Sequence, residues 1–163
     1  MTNLPIRDRK IRFALVGCGR ISANHVGALA KHGERAEVVA VCDNRPDALA
    51  AAVQKTGAAG FASLDALLAG SDPDIVVLAT PSGLHPRQAI KVAQSGRHVL
   101  SEKPMATKWD EGMAMVRACR DAGVKLFVVK QNRLNTTMQL VKRALDEQRF
   151  GRVFMVNVNV FWT

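Results

Sequence analysis

An apolar run, Ile11-Arg12-Phe13-Ala14-Leu15-Val16, ends directly in Gly17-Cys18-Gly19-Arg20-Ile21-Ser22, and a helical pattern starts at once from Ser22. No other feature of the chain restricts its fold as much. A strand that passes through two glycines straight into a helix leaves the first helical amides facing outward beyond the strand's carboxyl end. Gly17 permits the tight turn, Gly19 lets the main chain approach a pyrophosphate, and Ser22, small like the usual third residue, lets the helix lie against the strand. A glycine turn with no ligand would read the same over these six residues, so the surroundings have to decide.

The surroundings repeat one unit. From Ser22 to His32, Val26, Leu29 and Ala30 recur at helical spacing, and a second apolar run, Val38 to Cys42, stops at Asp43. Pro46-Asp47 opens an alanine-rich helix reaching about Lys55, with proline at a favourable first position. Then come a strand at Phe61-Ala62-Ser63-Leu64, a short helix around 65–69, a strand from Asp74 to Ala79, a helix from Pro86 to Ser95 closed by Gly96, and the strand His98 to Ser101. Thr107 with Asp110 resembles a capping box opening a helix in which Trp109, Met113 and Val116 share one face, ended by Gly123. Lys125 to Val129 reads as a sixth strand, and Asn135 to Glu147 as a helix with Met138, Val141 and Leu145 inward. Such alternation predicts the α/β class, a Rossmann doubly wound parallel sheet with right-handed crossovers. After Gly151 the pattern changes to a long, partly alternating strand with no helix behind it, so the expected organisation is an N-terminal extension (1–10), a dinucleotide-binding domain (11–150) and one further strand (151–163).

Composition excludes several classes. No apolar run approaches the roughly 20 residues of a membrane span, and Met1 to Lys10 lacks the apolar core of a secretory signal, so no membrane partner and a cytoplasmic location are expected. Cys18, Cys42 and Cys119 are too far apart for a CxxC metal site and odd in number, which suits reduced packing residues and no metal. Lys and Arg outnumber Asp and Glu by 23 to 14, which attracts anions without saying which. Nucleic acid is not the expected one: the bases are scattered from Arg7 to Arg152, without the interleaved aromatics of a single-strand binder, and Tyr is absent.

Asp43 ends the second strand at about the distance from the glycine turn, roughly 20 residues, from which a carboxylate accepts hydrogen bonds from both hydroxyls of an adenosine ribose. A 2′-phosphate would be repelled there, although Arg45 could offset the penalty, so NAD is expected over NADP; a plain strand-end turn residue is the alternative. Gly17, Gly19, Arg20, Ile21, Ser22, Asp43 and Asn44 are thus the expected cofactor contacts of the first half. Thr80-Pro81-Ser82-Gly83-Leu84-His85 follows the fourth strand at the ligand-binding edge of such sheets, though Ser82 could simply cap the next helix and His85 be solvated in its first turn. Glu102-Lys103-Pro104 follows the fifth strand, where a lysine can turn its ammonium into the cleft and carry protons, or form an ordinary exposed pair with Glu102.

Taken together these residues resemble the Gfo/Idh/MocA family of NAD(P)-dependent sugar oxidoreductases, which includes glucose-fructose oxidoreductase and inositol 2-dehydrogenase. The likeness runs from Ile11 to Thr163, and its most specific element is Ser101-Glu102-Lys103-Pro104-Met105-Ala106, arriving with the glycine motif and a Thr-Pro-x-x-x-His loop. The resemblance implies that Lys103 is catalytic, orienting the hydroxyl being oxidised or assisting its proton transfer, and that a cis bond precedes Pro104. It implies that Thr80, Pro81, Ser82, His85, Glu102 and Lys103 contact the cofactor, that Gln131 lies near the nicotinamide amide, and that Lys130, Asn132 and Arg133 lie where substrate enters. More narrowly, Lys130-Gln131-Asn132-Arg133 and the segment from Gly151 to Trp162 are similar to bacterial enzymes that oxidise the 3-hydroxyl of UDP-N-acetylglucosaminuronate in lipopolysaccharide O-antigen synthesis. An anionic, diphosphate-bearing sugar suits the positive excess. Family members carry a second domain, an open antiparallel sheet with the substrate wall, the second acid-base residue and the homo-oligomer interface. By that resemblance 151–163 is only its first strand, and the chain is expected to bind cofactor with little turnover. The competing reading is a non-catalytic dinucleotide-binding or interaction module.

Overall fold

The computed structural model of the chain describes residues 6–161. Met1 to Pro5 of the expected extension, and Trp162 and Thr163 of the expected last strand, lie outside the described residues. The chain forms two compact units, Met1–Val129 and Lys130–Thr163.

In the first unit the alternation becomes β1 (Ile11–Val16), α1 (Ser22–Lys31), β2 (Ala36–Cys42), α2 (Pro46–Thr56), β3 (Ala59–Phe61), α3 (Leu64–Gly70), β4 (Ile75–Leu78), α4 (His85–Gln94), β5 (His98–Ser101), α5 (Trp109–Asp121) and β6 (Leu126–Val128). The six strands form one sheet in the order β3-β2-β1-β4-β5-β6, and every pairing is parallel. The order reverses between β1 and β4, where Val16 stands opposite Leu78. At such a switch point the loops leave in opposite directions and a crevice opens beyond the carboxyl ends of the strands.

Side chains alternate across the sheet, so each strand feeds two cores. Ala14, Val16, Ala40, Cys42, Val76, Leu78 and Val99 bury one face against Leu67 of α3, Ala89, Val92 and Ala93 of α4, and Met115 and Cys119 of α5. Leu15, Val41 and Val77 bury the other with Ala58, against Val26 of α1 and Leu49, Ala52 and Val53 of α2. Burial on both faces explains why the central strands read as unbroken apolar runs.

Several boundaries and faces differ from the sequence expectation. β3 ends at Phe61 because Ser63 is taken as the N-cap of α3, accepting from the Ala66 amide at 3.1 Å. The Thr107 capping box does not form: Lys108 is the N-cap of α5, with no side-chain cap bond, and Asp110 and Glu111 complement the helix dipole from its first turn. The buried residues of α5 are Gly112, Met115 and Cys119, whereas Trp109 and Val116 are exposed. Gly112 sits against Met105 and Ala106, where an added Cβ would lie 3.2 and 3.3 Å from their side chains, and this close seat sets the phase of the helix.

The second unit holds a 3-10 turn (Gln131–Leu134) and α6 (Thr136–Asp146), capped by the Asn135 side chain accepting from the Thr137 amide at 3.0 Å. Met138, Val141 and Leu145 are not inward: they are 52%, 43% and 41% exposed, and no residue of α6 is buried. The strand expected over 151–163 is absent from 151–161, which forms no regular element. A single extended segment has no ladder to complete without a neighbouring strand, and its alternation alone cannot hold it in one. Among the described residues no helix is long and apolar enough to cross a membrane.

Candidate functional site

The glycine turn divides two tasks between its two glycines. Gly17 has φ +92°, and its amide donates to the Cys42 carbonyl at 2.8 Å. A Cβ there would fall 2.7 Å from the Ala79 oxygen, 2.8 Å from its carbonyl carbon and 2.9 Å from the Thr80 nitrogen, so the β1 and β4 exits are in direct main-chain contact. At Gly19 a Cβ would meet nothing within 4 Å. The protein leaves that space open without needing it for its own packing.

Ser22 is buried, and its hydroxyl donates to the Gly19 carbonyl at 2.5 Å, fastening the turn to the first residue of α1. No side chain caps α1, whose N-cap is Ile21, and no acidic residue lies in its first turn. An uncapped helix N-terminus beside an open glycine is a seat for an anion, because backbone dipoles place partial positive charge there. Arg20 and Ile21 are exposed on that turn.

Asp43 braces the seat from β2. One carboxylate oxygen accepts from the Cys18 amide at 2.7 Å and the other from the Arg45 amide at 2.8 Å. It is therefore a turn-building residue, yet a carboxylate offers about four lone-pair sites, so two remain for ligand hydroxyls. Arg45, the residue that could welcome a 2′-phosphate, donates its guanidinium to Asp47 at 2.6 Å instead. Asn44 is exposed between them. The buried surroundings, then the Asp43 charge, push the Cys18 thiol up to about 11 despite its contact with the Cys42 carbonyl. Burial first, then Cys18 and Asp43, push Cys42 to about 11 as well. Cys18, Cys42 and Cys119 are free cysteines.

The loops after β4 and β5 are tied to each other by His85. Its ring is 1% exposed, with Nε2 at 2.8 Å from the Thr80 carbonyl oxygen and Nδ1 at 3.0 Å from the Pro104 carbonyl oxygen. Both nitrogens are engaged inside the protein, so His85 is neither the solvated residue nor the direct ligand contact considered from sequence; it joins the two loops. The Thr80 hydroxyl donates to the Gln88 side chain at 2.6 Å. Pro81 is exposed and Ser82 half-buried at the head of a 3-10 turn (Ser82–Leu84), where Ser82 does not cap α4.

Glu102 is also buried. One of its oxygens lies 2.8 Å from Nε2 of His25 on α1, and the other accepts from the Lys103 amide at 3.1 Å. It forms no exposed pair with the Lys103 side chain, which is exposed, and the Lys103–Pro104 bond is cis. Ser101, Glu102 and Lys103 leave β5 beside β4, so Lys103 stands on the same carboxyl edge as the glycine turn. Sequence reasoning missed His25 and Gln88. His25 adjoins Asn24 and Gln88 adjoins Arg87 as ordinary polar helix positions, so no local pattern singles out the contact of His25 with Glu102 after β5 or of Gln88 with Thr80 after β4.

Lys130, Gln131, Asn132 and Arg133 belong to the second unit, all exposed at the 3-10 turn Gln131–Leu134, whose Arg133 amide donates to the Lys130 carbonyl at 3.0 Å. Among the described residues no group of His, Cys, Asp and Glu side chains is placed to hold a metal.

Residues 11–130 match the Gfo/Idh/MocA family, described as an oxidoreductase family with an NAD-binding Rossmann fold. The chain is 33% identical over 150 residues to inositol 2-dehydrogenase of Rhizobium meliloti (strain 1021), covering 91% of this chain and 44% of that protein. The structure of the WlbA dehydrogenase from Bordetella pertussis in complex with NADH and UDP-GlcNAcA superposes with a TM-score of 0.95 at 67% identity, over 98% of this chain and 46% of that one. WlbA from Chromobacterium violaceum, also in complex with NADH and UDP-GlcNAcA, gives a TM-score of 0.96 at 63% identity, over 100% of this chain and 48% of that one. The chain thus spans a little under half the length of each of these relatives.

Proposed function

The chain belongs to the Gfo/Idh/MocA oxidoreductase family, and on that premise we propose that it is the NAD-binding part of an enzyme that moves a hydride between NAD and a ring carbon of a sugar, with a UDP-linked uronate as the substrate class. The observation that carries this reading is the shared carboxyl edge of the sheet, where the open space at Gly19 and the uncapped start of α1 stand with the exposed Lys103. The likeness to two WlbA enzymes crystallised with NADH and UDP-GlcNAcA supports the substrate class.

NAD, when bound, supplies the acceptor for the hydride. The amides around Gly19, Arg20, Ile21 and Ser22 would hold its pyrophosphate, with Gly17 keeping the β1 exit tight against Ala79. Asp43, with Asn44 beside it, would accept from the adenosine ribose hydroxyls and disfavour a 2′-phosphate. Thr80, Pro81 and Ser82 would flank the cofactor, held in place through His85. The Lys103 amine would orient the substrate hydroxyl and take its proton as the carbon gives up hydride, which leaves a carbonyl. Gln131 would meet the nicotinamide amide. Lys130, Asn132 and Arg133 would meet the substrate, the two cations suiting a carboxylate or diphosphate.

Within this reading residues 11–150 remain the NAD-binding domain, 1–10 an extension and 151–163 the entry to a substrate domain; the full-length enzyme is cytoplasmic and homo-oligomeric. Grafting this chain onto the half of the Bordetella pertussis enzyme that it does not cover tests the function. The hybrid should form NADH when given NAD and UDP-GlcNAcA, and Lys103→Ala should lower kcat by ~100-fold or more while NAD still binds. An active Lys103→Ala hybrid would remove Lys103 from the mechanism. A folded, NAD-binding hybrid inactive with the uronate and with free sugars would favour a non-catalytic module.

A further inference from the structure

His25 stands in the first turn of α1, one turn beyond Ser22, and reaches back to the exit of β5, where its Nε2 lies 2.8 Å from Glu102. The other Glu102 oxygen accepts the Lys103 amide at 3.1 Å. The His25 and Glu102 side chains are only 14% and 9% exposed, so the contact is shielded from competing water. A rigid helix, a buried pair and the main chain of the lysine are therefore linked in series, and the end of the helix carrying the link is the end that faces the anion seat.

We propose that His25 is a positioning residue that couples occupancy of the nucleotide seat to the setting of Lys103, acting through Glu102. The inference rests on the dinucleotide reading of the seat. An anion at the start of α1 interacts with the helix as a unit, because its dipole and first-turn amides move together. His25 moves with them, and Glu102, which would be costly to leave unpaired in its buried site, follows its partner and carries the Lys103 amide along. A pair that served stability alone would hold the loop equally with the seat full or empty.

The probe is ADP, which has the adenosine ribose and pyrophosphate but lacks the nicotinamide half, followed by the amide NMR spectrum of the 163-residue chain. ADP should move the Lys103 amide resonance in the wild type. In His25→Leu, ADP should still bind, within about threefold of wild type, and the Lys103 resonance should stay in place. His25→Gln, which keeps a donor for Glu102, should restore the movement. Should His25→Leu fail to fold, His25→Asn, whose shorter amide stops short of Glu102, replaces it with the same expectation. A Lys103 resonance that moves equally without the His25 contact, or that is still in the wild type while ADP binds, overturns the coupling and leaves the nucleotide seat intact. Failure of ADP to bind the wild type at all overturns the seat and the coupling together.

Discussion

Gly17 and Gly19 stand two positions apart and answer to different demands. Gly17→Ala would force a side chain into the Ala79–Thr80 main chain at positive φ, and should cost at least about 2 kcal/mol in a urea melt. Gly19→Ala enters open space, so stability should stay within about 0.5 kcal/mol of wild type while NAD affinity falls by ~10-fold or more. The sequence motif singles out both glycines but cannot say which serves the fold, since that depends on the β4 exit lying against the turn. His85 shows the same limit. Its place in the loop was visible, but its burial between two carbonyls was not, because one partner arrives from the turn after β5. His85→Ala should cost about 2–4 kcal/mol through the lost packing of a fully buried ring and the lost tie between the two loops, read in the same melts.

Among the elements, α5 shows what periodicity can and cannot deliver. Trp109, Met113 and Val116 share a helical stripe, and so do Gly112, Met115 and Cys119; spacing reveals the helix without choosing its phase. Contact with the Met105–Ala106 segment makes the choice. Met115→Ala should therefore cost about 2–4 kcal/mol, whereas Trp109→Ala should change the unfolding midpoint little, about 0.5 kcal/mol or less. At the opposite end of the sheet, Asp74 enters β4 under a clasp of Arg9 and the Arg12 amide. Burial alone would raise its carboxyl, but the Arg9 hydrogen bonds, the Arg12 amide and both guanidinium charges outweigh burial and hold it down at about 2. A carboxyl held below its unfolded value of 3.8 adds stability that is complete above that value and is lost as pH falls through about 2. Because Arg9 is solvent-facing, the contribution is on the order of 1 kcal/mol. Asp74→Asn should lose that amount near neutrality, and its deficit against wild type should shrink as the pH is lowered from about 4 toward 2.

At the scale of the whole molecule, the six-stranded parallel sheet was legible because its central strands are covered on both faces, while β3 and β6 at its edges stay partly exposed. Local pattern and tertiary burial agree along the first unit apart from the bounds of β3 and the start and phase of α5. They part company in Lys130–Thr163, where the apolar stripe of α6 is exposed and the alternation over 151–161 forms no strand, since pattern without a covering layer fixes nothing. The candidate site divides along the same line: Gly17, Gly19, Ser22, Asp43 and Lys103 stand on one sheet edge, whereas Gln131 and its neighbours rest on resemblance to the family. An edge beyond β1, β2 and β4 that is built for NAD is read out by calorimetric titration of the 163-residue chain. NAD should bind the wild type with a dissociation constant below ~1 mM and NADP at least ~10-fold more weakly, with Gly19→Ala folded but impaired for NAD. No heat and no rise in melting temperature at millimolar NAD, or equal affinity for NADP, would show that this edge is not an NAD site.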